Sequence, residues 1–415
     1  MNKILVINYP TMKMGGIEVN IFKWMEYFSK KDVRVVWYAT SNAVEDADFV
    51  DILHLNVEIK NVKKTLAGLR YEKLENDEGK DVVMLSFDPL WYLGAESLRR
   101  ASGASSFIHY MVLPHFTGAA YYPEENCVTS VAKKHAWMFM RRKYGEWDRQ
   151  GCLRAFNEKQ CAACAEHYAF TLREGSHLIP YIARSPSQPI SRIKQEARER
   201  AKNRDKEFRI LVCSRLDFPH KGYVLGMVDA FESIKPFNPN VTLVIAGDGP
   251  SRDALEKKVK ALPVEMQSSV ELLGTLGQKQ LMEQFSRASV NPNLAGALVD
   301  GAISGVPSLP MRHYTDRAEC YGFYEDTAKE DELNKGRGKD VRPYIERLIN
   351  MPIDEYVDHC VNAVYRASEK TANPADLFSA KTGSFVTPYG DIWFGRMLLI
   401  SRSVSARLLR RNQFV

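Results

Sequence analysis

Strand-length apolar runs and helix-period stretches take turns along this chain, and they do so twice. "KILVINY" is followed by "GIEVNIFKWMEYFSK", with apolar residues at helical spacing, and then by "VRVVWYAT". "DVVMLS" precedes "LWYLGAESLRRA", and "SSFIHYM" comes next. Strands alternating with helices predict a parallel sheet covered on both faces. The alternation restarts at "FRILVCSRL" and continues through "VTLVIAGDGP", "SRDALEKKVKAL", "SVELLGTL", "QKQLMEQFSRA", "ASVNPN", "ALVDGAISG" and "VPSLPMR". The class is α/β, with two doubly wound domains.

The stretch between them, "RSPSQPISRIKQEARERAKNRDKEF", is Pro/Ser-rich and then densely charged, which marks a boundary. The expected division is a first domain over 1–184, a linker over 185–207 and a second domain over 208–385. A helical segment over 386–415 carries several arginines and is expected to return to the first domain. Residues 114–160 lose the alternation and read as inserted loops and helices. "HYAFTLR" and "HLIPYIA" read as the last strands of the first domain.

With 415 residues the chain exceeds what one core organises. A net charge of +6 over that length does not by itself argue for nucleic acid, where a concentrated basic face is expected, and suits an anionic small ligand or a weak membrane contact. Seven scattered cysteines read as reduced thiols. "MNKILVINYP" lacks a signal-peptide core, and no apolar run approaches the roughly 18 residues of a membrane span. A cytoplasmic protein is expected.

Open parallel sheets bind ligands beyond the carboxyl ends of their strands, and three loops of the second half fall there. In "VCSRLDFPHKGYVLGMVDAF", Arg215 leaves a strand and Lys221 stands just before a helix. A helix N-terminus favours anions, and a guanidinium with an ammonium beside it suits a diphosphate. Two solvated surface cations are the plainer reading. In "IAGDGPSRDAL", Gly247 and Gly249 allow a tight turn, as structure or as ligand contact. In "NPNLAGALVDGAISGVPSLP", the small residues Gly296 and Ala297, with Leu298, let backbone N–H groups approach a ligand. Asp300, near a helix start, would cap that helix or accept bonds from ribose hydroxyls.

The order of these motifs is the specific signal. Arg-x5-Lys-Gly after a strand, then "AGDGP", "VELLG", a Gly-rich loop, an acidic residue and "GVP" resembles the nucleotide-sugar half of GT-B glycosyltransferases, most closely glycosyltransferase family 4. "MKMGGIEVNIF" is similar to the same family. The resemblance implies two Rossmann-like domains facing each other across a cleft. It also implies a retaining transfer of a sugar from a UDP- or GDP-linked donor to a glycan or lipid-linked acceptor, in surface polysaccharide assembly. It assigns catalysis to Arg215 and Lys221, which would hold the diphosphate and stabilise the leaving nucleotide, and to His109, at a strand end near the reacting sugar. Gly15, Gly16 and Glu18 would face the donor from the first domain. Leu273 and Gly274 would line the base pocket, and Asp300 matches the second Glu of the family's Glu-x7-Glu pair. The first Glu is missing, since "NPNLAGALVD" offers no earlier carboxylate. No cofactor or metal is required, because two cations already face the leaving group.

Two further stretches have competing readings. Cys161, Cys164 and His167 have a zinc-like spacing, but a single CxxC pair on a helix reads as buried thiols. Residues 132–147 mix Lys133, Lys134, Arg141, Arg142 and Lys143 with Trp137, Met138, Phe139 and Met140. They read as a peripheral membrane contact or as a helix packed by its aromatics. Two rival functions stand: a noncatalytic relative that binds a glycan or partner enzyme, and an NAD-dependent oxidoreductase. The second lacks a GxGxxG turn with its downstream acid.

Overall fold

The computed structural model describes residues 2–12, 16–41, 43–44, 47–65, 68–113, 130–156, 158–179, 182, 188–327, 338–369, 374–378 and 390–393. The chain divides into two compact units, one of Met1–Ile182 with Ala372–Val415 and one of Ala183–Thr371.

The first unit is built on seven strands: β1 (Lys3–Asn8), β2 (Val33–Ala39), β3 (Val57–Thr65), β4 (Gly68–Tyr71), β5 (Asp81–Ser86), β6 (Ser106–Leu113) and β7 (Leu153–Ala155). Their order is β4-β3-β2-β1-β5-β6-β7. All pairs are parallel except β3 with β4. Ile4, Leu5, Val6 and Ile7 of β1 are fully buried. This central strand is covered on both faces, which is why it reads as an unbroken apolar run.

Helix α1 (Gly16–Ser29) buries Ile21, Trp24, Met25 and Phe28, an i, i+3, i+4, i+7 stripe. Helix α2 (Pro89–Ala101) starts at Asp88, whose side chain accepts from the backbone N–H groups of Leu90 and Trp91, with a proline in the first turn. Helices α3 (Ser130–Arg149) and α4 (Glu158–Tyr168) complete the unit. The sequence reading missed the β3–β4 hairpin and β7. It also placed a strand at "HYAFTLR", where α4 ends, and another at "HLIPYIA", where among the described residues Leu178 makes an isolated bridge to Ala155.

The second unit begins earlier than expected. Residues 185–207 do not form a linker, because α5 (Ile190–Lys202) lies among them and buries Ile193, Ala197 and Ala201. The low apolar content hid a helix that needs only one narrow stripe at i, i+4, i+8. Arg204, just beyond it, donates to the carbonyls of Leu348 and Met351 and lies 5.1 Å from the Tyr356 ring centroid.

Strands β8 (Phe208–Cys213), β9 (Val241–Ala246) and β10 (Val270–Gly274) form a parallel sheet in the order β10-β9-β8. Strands β11 (Asn291–Asn293) and β12 (Ser308–Pro310) pair in parallel. They join β8 through a bridge between Ile210 and Val290. Helices α6 (Tyr223–Ile234), α7 (Arg252–Lys260), α8 (Val264–Gln267), α9 (Gln278–Arg287), α10 (Ala295–Ile303), α11 (Arg342–Asn350) and α12 (Ile353–Ser368) fill the connections.

The return to the first unit begins at Ala372 rather than at 386. Leu377 and Phe378 already belong to the first unit's core with α1. Asp391 pairs with Lys143 of α3 at 2.6 Å. Residues 394–415 lie outside the described residues.

Gly226 lies mid-helix in α6, where a Cβ would overlap the Ala318 nitrogen and the Arg317 carbonyl carbon. Alanine would gain about 1 kcal/mol of helix propensity there. The overlap costs about 1–3 kcal/mol or more, since a backbone segment must move. Gly226→Ala is expected to lower the urea midpoint, whereas Gly16→Ala, at a site open to solvent, is expected to leave it unchanged or raise it.

Candidate active site

The carboxyl ends of β8, β9 and β10 lie level, with Cys213 opposite Ala246 and Ala246 opposite Gly274. Their outgoing loops are laced together. Ser214 N–H donates to the Ala246 carbonyl at 3.0 Å, Leu216 N–H to Asp248 at 2.9 Å and Gly247 N–H to Gly274 at 2.7 Å. Phe218 N–H donates to Ser251 Oγ at 3.0 Å. Gly247 has φ +143°, and a Cβ there would overlap the Ser214 carbonyl oxygen. At Gly249 it would overlap the Leu216 carbonyl oxygen. The glycines of "AGDGP" therefore let one loop lie directly on the other. The Asp248 carboxylate serves the same turn, accepting from Gly249 N–H at 2.7 Å and pairing with Arg252 at 3.0 Å. Leu273 and Gly274 are half-buried at the end of β10.

The β8 loop holds the two cations. Arg215 is exposed and forms no ion pair among the described residues. Lys221 is half-buried at the entrance to α6 and likewise forms no ion pair among them. Burial pushes its ammonium down to about 8, with the Asp217 carboxylate pulling the other way. A cation desolvated without a close counter-ion is costly alone and favourable beside an anion.

The segment after β12 braces this loop. Tyr314 N–H donates to the His220 carbonyl at 3.0 Å. The Tyr314 ring stacks on His220 at 4.7 Å, with His313 5.1 Å away. Gly222, just before α6, and Gly226, one turn on, admit the Thr315–Ala318 backbone. A Cβ on Gly222 would stand 2.7 Å from the Thr315 carbonyl oxygen.

On the other side of β8, the Asn293 side chain extends what the backbone bond from Leu211 N–H to Val290 begins. Asn293 Oδ1 accepts from Cys213 N–H at 2.7 Å, and its Nδ2 donates to the Leu211 carbonyl at 2.9 Å. Asn291 Nδ2 donates to Ser308 Oγ at 2.8 Å and to the Leu298 carbonyl at 3.1 Å. Helix α10 starts just beyond, with Gly296 and Ala297 half-buried and Leu298 in the core. Asp300 is the sixth of nine residues in α10 and is buried. It does not cap the helix, and its expected place near the helix start is corrected. Asn291, Asn293, His220 and Tyr314 escaped the sequence reading. The only signal was an Asn-Pro-Asn strand with polar residues where apolar ones belong.

In the first unit, Gly16 opens α1 and is exposed, and Glu18 accepts from Tyr9 Oη at 2.5 Å. Gly15 lies outside the described residues. His109 is not at a strand end. It is the fourth of eight residues in β6 and is buried, with Nδ1 2.9 Å from Glu96 Oε1 and Nε2 2.8 Å from Ser86 Oγ. Both ring nitrogens are engaged, so the ring offers nothing to a reacting sugar. The strand ends four residues later, at Leu113.

The aromatic side of the basic stretch on α3 is turned inward, while Met138, Arg141 and Arg142 are exposed. Phe139, Met140, Tyr144 and Trp147 are core residues, and Lys143 is fully buried against Asp391. Arg142 also pairs with Asp391, and Arg141 lies 5.6 Å from the Trp137 ring centroid. The side chains of Lys133 and Lys134 lie outside the described residues. Cys161 and Cys164 are buried on α4, and burial pushes both thiols up. Among the described residues no group of three or more His, Cys, Asp or Glu side chains is placed to hold a metal ion. None of the described helices is long and apolar enough to cross a membrane.

The fold is that of the GT-B glycosyltransferases, with two Rossmann-like units. The model of the family "Glycosyl transferases group 1" matches residues 193–291, from α5 to β11. Solved structures share the fold over both units. HepE from Anabaena, in complex with UDP and glucose, is 14% identical and covers 91% of this chain and 98% of its own, with a TM-score of 0.53. WaaG, a glycosyltransferase involved in lipopolysaccharide biosynthesis, is 16% identical over 91% and 97%, with a TM-score of 0.51. A glycosyltransferase from Rickettsia africae is 10% identical over 91% and 96%, with a TM-score of 0.55. No curated protein sequence matches the chain at a significant level.

Lys221 makes a linkage prediction. Its folded-state value of about 8 lies below the unfolded value of about 10.4. Between the two the unfolded chain binds more protons, so stability from this group rises with pH across that window. Denaturant unfolding of Lys221→Met is expected to show its largest advantage over wild type near pH 7 and a smaller one at pH 10. A constant difference would mean that Lys221 is not desolvated.

Proposed function

We propose that the protein moves a sugar from a nucleoside diphosphate sugar to a glycan or lipid-linked acceptor, with retention of anomeric configuration, in the manner of family 4. The observation that carries this reading is the β8 loop, which presents Arg215 and a partly desolvated Lys221 at the N-terminus of α6. Support comes from the matched family segment, which spans that loop, and from HepE, solved with UDP and glucose. WaaG, with its lipopolysaccharide role, favours a surface-glycan acceptor.

As the bond between the sugar's anomeric carbon and the diphosphate breaks, charge gathers on the leaving oxygens. Arg215 and Lys221 stabilise that charge in place of a metal ion. Gly296 and Ala297, at the start of α10, bring backbone N–H groups to the same end of the sheet. Asp300, Leu273 and Gly274 hold the nucleoside. A peripheral membrane position would rest on exposed α3 residues, among them Met138, Arg141 and Arg142. One observation favours a noncatalytic relative: from Asn293 to Ala297 no carboxylate faces the site.

Thermal shift with UDP, GDP and their glucose conjugates tests the reading. One nucleoside diphosphate is expected to raise the Tm of wild type. Arg215→Ala or Lys221→Ala is expected to weaken that binding about 10–100-fold, the worth of a charged hydrogen bond. Binding to wild type is expected to weaken as pH rises through 8 and Lys221 loses its proton. Nucleotide binding without release of sugar would favour the noncatalytic relative, and no binding would sink both.

A further inference from the structure

The loop after β12 carries a residue in a conformation that its type rarely adopts: Tyr314 has φ +54°. Among the described residues, the others with positive φ that are not glycine are Asn76, Ala169 and Ala295. Asn tolerates the left-handed region through its short polar side chain. Ala169 closes the end of α4 in an ordinary left-handed cap, with Phe170 N–H donating to the Ala165 carbonyl at 3.0 Å. Ala295 and Tyr314 stand just past the carboxyl ends of two paired strands, β11 and β12.

For a bulky side chain this conformation is an outlier, and it persists only where the surroundings over-determine it. Here they do. Tyr314 N–H donates to the His220 carbonyl at 3.0 Å, and the next carbonyl, that of Thr315, fills the space that a Cβ on Gly222 would take. Glycine would meet the same backbone demand without strain. The chain keeps a tyrosine instead, and 51% of it is exposed, so the core does not require it. Its ring lies on His220, with centroids 4.7 Å apart and planes 26° apart.

The ring is placed on one side of the cations. Strand order is β10-β9-β8, β11 joins β8 through the Ile210–Val290 bridge, and β12 pairs with β11. Under the transferase reading the base lies at Leu273 and Gly274, beyond β10, and the diphosphate at Arg215 and Lys221, beyond β8. A donor laid in that direction carries its sugar on toward β11 and β12. The loop after β11 has little to hold a sugar with. The Asn291 and Asn293 side chains are spent on Leu298, Ser308, Leu211 and Cys213, and Leu294, Ala295, Gly296 and Ala297 follow. In the loop after β12, Arg312 pairs with Glu319 and His313 is buried. Tyr314 is the ring left outward, and it stands on the residue that precedes Lys221.

We propose that Tyr314 is a specificity-determining residue of the donor site, and that its ring packs against the C–H face of the sugar carried by the nucleoside diphosphate. The C–H bonds on one face of a pyranose are apolar and slightly positive, and the face of an aromatic ring is slightly negative. His220 is the positioning residue beneath it, fixing the ring beside Lys221. The proposal deepens the transferase reading and rests on it.

Titration calorimetry of the full chain tests this with UDP, GDP, UDP-glucose, UDP-galactose, UDP-N-acetylglucosamine and GDP-mannose. Tyr314→Asn supplies a side chain that accepts φ +54°, so its urea midpoint should stay near that of wild type. Its affinity for the free diphosphate should be unchanged. The sugar conjugate that wild type binds tightest should weaken about 10-fold, as expected when roughly 50 Å² of apolar face returns to water. Tyr314→Gly should repeat that pattern, and Tyr314→Phe, which keeps the ring, should bind both ligands as wild type does. An equal loss for diphosphate and conjugate would make the ring a brace for the Lys221 loop alone. No loss, or the same loss in Tyr314→Phe, would remove the ring face from recognition. Each of these outcomes overturns the proposal and leaves the transferase reading standing. If wild type binds none of the six ligands, the transferase reading falls and takes the proposal with it.

Discussion

Where the loop after β8 crosses the loop after β9, the carbonyl oxygens of Ser214 and Leu216 fill the space that side chains would take at positions 247 and 249. Neither loop can keep its path unless both of those residues lack a Cβ. Because the loops rest on each other, Arg215 leaves the sheet at a fixed height, and Asp217 and Lys221 follow in a short turn closed by the Lys221 N–H bond to the Asp217 carbonyl. The Gly222–Gly226 pair repeats the device on the far side of that turn, against Thr315–Ala318. The main chain that carries the two cations is thus held by backbone on backbone.

Two lysines show how burial alone leaves function open. Lys143 is fully buried, and it sits against Asp391, a residue far away in sequence that closes the C-terminal return onto α3. Lys221 is half-buried, and its nearest acid acts only through space. The first is a structural ion pair and the second is a vacancy in charge. The sequence shows both as lysines in aromatic, basic surroundings, and only the partner separates them.

The alternation of runs was enough to read two doubly wound units, the central strands of each and the β8 loop, because parallel strands buried on both faces leave an unbroken apolar signature. Elements with weaker signatures were lost. The three-residue β7 and the β3–β4 hairpin carry polar residues on their exposed sides. Helix α5 has a stripe of one Ile and two Ala amid charge. His109 was legible as a histidine in a strand but not as a mid-strand one, since the run "SFIHYMVL" gives no sign of where its pairing stops. The glycines of "AGDGP" were legible as turn formers. That the room they make is taken by a neighbouring loop depends on a contact about 30 residues away in sequence.

The seam between β8 and β11 has one more consequence. Along most of a sheet, neighbouring strands share bonds between main chains, and a side-chain substitution leaves that ladder standing. Here Asn293 supplies both a donor and an acceptor to β8 from its side chain, at Leu211 and Cys213, the residues just before the Arg215 turn. The cohesion of the sheet at the carboxyl end of β8 is thus written in a replaceable residue. A change at Asn293 would loosen the strand ends that aim the cations while leaving the apolar core intact, so a folded protein could lose its aim without losing its shape.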